Sequence, residues 1–100
     1  MIKPPSQIDD FVVVEYGFLH EPALPVGYEP PKGSGRVLEP MQNFALCTSE
    51  GVDGFYLLCC TRSWAYMTYS YSELKKDAKK QVSIEFGKDI DLWHVLKSPD

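Results

Sequence analysis

The residues able to do chemistry in this chain are few and scattered. Asp89-Ile90-Asp91-Leu92-Trp93-His94 sets two carboxylates and an imidazole within six residues, a grouping with donors suited to a divalent cation. On an extended backbone Asp89 and Asp91 share one face while His94 turns to the other, so the segment reads first as a polar edge. His20-Glu21 pairs an imidazole with a carboxylate but has no third ligand beside it. These two histidines are also the only conventional general bases, and neither stands in a nucleophile signature such as Gly-x-Ser-x-Gly. Gly33-Ser34-Gly35-Arg36 lacks the Lys-Ser/Thr ending and the strand-to-helix setting of a phosphate loop. The sequence predicts no enzyme, no catalytic residue, no metal site and no cofactor.

Cys47, Cys59 and Cys60 cannot all pair within one chain, and no Cys-x-x-Cys spacing is present to hold zinc or run redox chemistry. They read as reduced, apolar packing residues, which fits a reducing, cytoplasmic setting. The start Met1–Pro5 has no apolar stretch of the kind a secretion signal needs, and no run approaches the roughly 18 apolar residues of a membrane span. A net charge of −4 argues against nucleic acid as a partner, because affinity for a phosphate backbone comes mostly from Lys and Arg. A protein partner remains.

What must position these residues is a small α+β domain. One hundred residues is the common size of one domain, and six Tyr, five Phe and two Trp favour a pleated sheet. Phe11–Tyr16 reads as a strand. Gly17 to Gly35 holds four Pro and four Gly and reads as one long loop, 17–35. Gln42–Thr48, Phe55–Thr61 and Trp64–Tyr71 follow as a meander of two hairpins, giving an antiparallel sheet of about four or five strands. Ser70-Tyr71-Ser72-Glu73 has the form of a capping box, and Leu74, Ala78, Val82 and Phe86 make one apolar stripe, so the spacing predicts a single C-terminal helix over about 73–86 that ends at Gly87. Lys75, Lys76, Lys79 and Lys80 are expected on its wet side. Asp89–Leu96 reads as a closing strand.

Folding the meander on paper about Gly51-Val52 and Arg62-Ser63 puts Phe44, Leu46, Phe55, Leu57, Cys59, Trp64 and Tyr66 on one face. The other face then carries Ala45, Cys47, Tyr56, Leu58, Cys60, Ala65, Met67 and Tyr69. Both are apolar, so the sheet needs two covers. The helix is expected over the small residues Ala45, Cys47, Cys60 and Ala65. The aromatic face then requires the 17–35 loop, the first strand or another chain. Trp64, Tyr66, Tyr69 and Tyr71, with Phe44 and Phe55, are the candidate residues of a protein interface, since large rings supply contact area at low entropic cost.

From Gly54 to Val95 the chain resembles small bacterial proteins of uncharacterised function, including immunity proteins of toxin-immunity systems. The carriers are Gly54-Phe55-Tyr56-Leu57-Leu58, Trp64, then Ala78, Gln81 and Phe86, and Trp93. The resemblance implies an immunity-type inhibitor that masks a cognate toxin, with no functional residue to carry over. A self-associating, dimeric scaffold domain is the alternative, and a small enzyme or metal protein using His20, His94 or Asp91 comes third.

Overall fold

A computed structural model describes residues 3–33 and 37–96. Val12, Val13 and Val14 open a β-branched run that stays extended far longer than its composition promises. Strand β2 covers Phe11–Ala23 and is preceded by a short β1, Gln7–Ile8. The expected loop therefore begins only after Ala23, because β2 continues through Gly17 and buries Leu19 in the core. Gly17 is required by what lies above it, since a Cβ there would come within 2.6 Å of the Ile90 side chain. Strands β3, Met41–Ser49, β4, Val52–Cys60, and β5, Tyr66–Ser72, complete an antiparallel sheet in the order β1-β2-β3-β4-β5. The expected closing strand survives as β6, His94–Val95, which pairs with β2 beside β1. Of the Gly33–Arg36 stretch, Ser34, Gly35 and Arg36 lie outside the described residues, as do Met1 and Ile2.

The first hairpin keeps the register that alternation implies, with Phe44 opposite Cys59 and Ala45 opposite Leu58. The second is longer than expected. Trp64 takes a left-handed conformation, φ 66°, and closes a turn in which its N–H donates to Thr61 O and the Thr61 N–H to Ala65 O. Pairing then resumes with a bulge, Tyr66 opposite Cys60 but Thr68 opposite Cys59. The slip moves Trp64 and Tyr66 off the Phe44 face and onto the face of Ala45, Leu58 and Tyr69.

Helix α1 covers Lys75–Phe86, starting later than 73. The capping box is not formed. Ser70 belongs to β5, Leu74 is the cap residue, and no side chain caps the first turn. Gly87 does end the helix in the left-handed form, φ 66°, its N–H bonded to Ser83 O. Of the expected apolar stripe, Leu74 precedes the helix and is 52% exposed, while Ala78, Val82 and Phe86 are buried, but on the face opposite to the expected one. These three pack on Phe44, Leu57, Cys59, Leu19 and Met41, with the Phe86 ring edge-on to Phe44 at 5.3 Å. Large sheet residues suit this helix because its own stripe includes the small Ala78. The segment after Ala23 runs on this same side, where Val26 N–H bonds to Glu85 O and Leu38 packs against the core.

Lys75 and Lys79 do not simply face water. They hold Glu15, which is 7% exposed, at 2.9 Å and 2.7 Å. The bulge between Val13 and Glu15 turns this carboxylate to the helix face, so a strand acid and two helix cations clip the two layers together. Burial would raise the Glu15 pKa, yet the hydrogen bonds and charges of Lys79 and Lys75 outweigh it and hold the carboxyl below its ordinary value. A depressed carboxyl stabilises the fold above its unfolded pKa, and that stability is lost as pH falls through the folded value. Glu15→Gln is expected to cost about 1–2 kcal/mol in urea unfolding at pH 7, discounted for the half-exposed Lys75. Below pH 4.5, the ordinary value, the gap between parent and variant should narrow and close; a gap unchanged by acid would show that the lysines do not act through the Glu15 charge.

Candidate functional site

The surplus apolar face is covered mostly by its own curvature. Sheet twist folds the β1–β2 corner toward the start of β5, giving a half-barrel whose hollow side holds Val13, Tyr16, Ala45, Cys47, Leu58, Cys60 and Trp64, all buried. Phe11, on β2, reaches across two strands to Tyr66 and Tyr69 on β5, with ring centroids 6.0 Å apart in each case. Tyr66 and Tyr69 lie 6.3 Å apart and nearly perpendicular. At the turn between β1 and β2, Asp9 adopts φ 51°, a conformation that costs a non-glycine residue. There its carboxylate accepts a 2.8 Å hydrogen bond from the Tyr66 hydroxyl, raising the Tyr66 pKa through that bond. The corner is thus latched to β5.

The curl does not close completely. Tyr69 is 59% exposed and Tyr71 46%, while Phe11, Tyr56 and Tyr66 remain partly exposed. Tyr71 packs edge-on against Tyr56 at 5.3 Å and its hydroxyl donates to Asp53 O, lying over Gly54, where a Cβ would collide with it. Of the residues expected to form an interface, Tyr66, Tyr69 and Tyr71 therefore make one continuous rim. Trp64 shares their face but is 7% exposed and packs inward on Tyr16 and Phe18. Phe44 is fully buried beneath the helix, and Phe55 lies on that face too, under Lys75. Phe11 and Asp9 were the members that sequence reasoning missed; only pairing across the sheet brings them to Tyr66.

At the far end of β2 the chain joins two of the other candidates. His20 and Asp91, 71 residues apart, are joined by a hydrogen bond at 2.5 Å, both largely exposed. With Phe18, Gln42, Leu92 and His94 they line an open cleft of about 320 Å³. His94 stacks on Tyr16 at 5.1 Å instead of meeting His20 in a ligand set. Asp89 spends a carboxylate oxygen on the Ile90 N–H. Among the described residues no Ser, Thr or Cys lines the cleft. Among the described residues no group of three or more His, Cys, Asp or Glu side chains is arranged to hold a metal ion.

The cysteines are free and buried, Cys47 and Cys60 on the tyrosine face and Cys59 on the helix face. Burial pushes the Cys47 and Cys59 thiols up to about 12 and raises Cys60 as well. No helix among the described residues is long and apolar enough to cross a membrane. Comparison with family models, with curated proteins and with solved structures finds no match for this chain.

Thiolates are the reactive form, so the three cysteines should resist a thiol reagent at pH 8 in the folded protein and react together in denaturant. Counting of thiols with a chromogenic disulfide checks this; a fast-reacting cysteine in the native protein would place a nucleophile where the fold provides none.

Proposed function

We propose that this chain is a non-catalytic protein-binding module, and that its contact surface is the rim formed by Tyr66, Tyr69 and Tyr71 with Phe11. The observation that carries the reading is a cluster of mutually packed rings left part-open on an otherwise buried sheet face. Rings already held by neighbours lose little freedom on binding, so they give contact area at low entropic cost. The rim is bordered by Asp9 and Asp10, and the chain carries a net charge of −4, which favours a partner with a basic contact surface. The buried thiols and the His20–Asp91 cleft without a nucleophile give an enzymatic reading no support.

Within this class the reading is an immunity-type inhibitor, acting in the cytoplasm by masking a cognate toxin. The size, the acidity and the resemblance over residues 54–95 support it. A second reading, a self-associating scaffold domain, is favoured by one further feature. Among the described residues strand β5 pairs only with β4 and has an unpaired outer edge, whereas the outer edge of β2 is met by β1 and β6.

The test is affinity capture from the native host with the parent chain and with Tyr69→Lys, followed by titration of any protein retained. Losing a ring at the centre of an interface commonly costs 2 kcal/mol or more, so the variant should weaken a genuine partner by about 30-fold or more. A partner held equally by both proteins would remove the rim from the function, and capture of nothing by either would contradict the inhibitor reading.

A further inference from the structure

We propose that β5 is a two-fold dimerisation strand, pairing antiparallel with β5 of a second copy of this chain about Ser70. The inference deepens the self-association reading above and rests on Tyr66–Ser72 being a contact strand. Among the described residues, Tyr66–Ser72 receives no backbone hydrogen bond from any strand but β4, and it carries no charge and no proline. Charges and prolines are two of the devices that keep an edge strand from pairing with another chain, and β5 lacks both; its bulge lies between Tyr66 and Thr68 and leaves 68–72 regular.

The occupant follows from the order of residues. Thr68-Tyr69-Ser70-Tyr71-Ser72 reads the same in both directions by chemical type: hydroxyl, Tyr, Ser, Tyr, hydroxyl. A two-fold contact needs this property, because residue i must suit j while j suits i. With Ser70 on the axis, Tyr69 of each copy stands opposite Tyr71 of the other, and Thr68 opposite Ser72. The faces agree as well. Tyr69 and Tyr71 lie opposite Leu58 and Tyr56 on the hollow side, while Thr68, Ser70 and Ser72 lie opposite Cys59, Leu57 and Phe55 on the helix side. Aromatic pairs and hydroxyl pairs are both favourable cross-strand neighbours.

The dimer would turn two half-open rims into one surface with Tyr69 and Tyr71 of both copies at its centre.

An edge contact of five residues lies at the small end of interface sizes, so the expected dissociation constant is in the micromolar range. Sedimentation velocity from about 1 to about 300 µM should show a monomer passing to a dimer. Tyr69→Glu alone and Tyr71→Lys alone should each weaken the dimer about tenfold or more, and the two together should restore it, because the proposed register sets opposite charges across the axis. Circular dichroism establishes that each variant is folded. Hydrogen exchange on the unsubstituted chain is the second measurement, with amides in 68–72 slowing as concentration rises. A monomer throughout, a dimer indifferent to the substitutions, a double variant as weak as the single ones, or exchange in β5 independent of concentration would each overturn the proposal. A chain that stays monomeric yet loses a foreign partner on Tyr69→Lys sinks the dimer and spares the binding function. A dimer with no foreign partner does the reverse.

Discussion

The structure depends on a sheet that is apolar on both faces and must be sheltered twice with only one helix to do it. An antiparallel sheet in a small protein ordinarily leaves one side to water. Here Leu57 and Leu58, adjacent in β4 and pointing opposite ways, are both fully buried, so neither side can be left wet. The helix shelters the Leu57 side. On the Leu58 side the chain brings the corner of the sheet over itself, and the latch between Asp9 and Tyr66 holds the curl. Apolar burial is worth roughly 25 cal/mol per Å², so leaving several rings wet would cost an amount comparable to the whole stability of a small domain. The backbone strain at Asp9 is a small charge against that gain.

Both layers are joined by contacts that serve more than one purpose. Glu15 faces the helix only because β2 bulges, and it draws in Lys75 and Lys79, whose charges also lie over the rings of Phe55 and Trp93. Gly17 has no side chain, and Ile90 fills that space, which pins the chain after the helix back onto β2 and leads it into β6. The same return brings Asp91 to His20. That pair is largely exposed.

Much of this was legible in the residues, and the failures have physical causes. Alternation of large and small side chains was enough to register β3 on β4, and four-residue spacing was enough to find the helix and its Gly87 stop. The second hairpin slipped because a tryptophan in a left-handed turn leaves no trace in the local pattern. The Ser70–Glu73 motif suits a helix start, but pairing of Ser70 with Leu57 keeps that serine in the sheet. Glycines and prolines after residue 17 suggest a loop, whereas pairing with β3 as far as Ala23 keeps that part of β2 extended. Glu15, Phe11 and Asp9 acquire their roles only from partners distant in the chain. The tyrosines of the rim were found from residue type alone, yet their separation from Phe44 and Phe55 required the true register.

The central claim is that the hollow face is closed by its own curl as far as Tyr16 and Trp64 and is open at Tyr69 and Tyr71. Hydroxyl-radical footprinting read by mass spectrometry tests it directly, in dilute solution where no second chain covers the rim. The account predicts rapid oxidation of Tyr69 and Tyr71 and strong protection of Tyr16 and Trp64. Equal oxidation of all four rings would mean that the sheet does not curl, and protection of all four would mean that the rim is not there to bind anything.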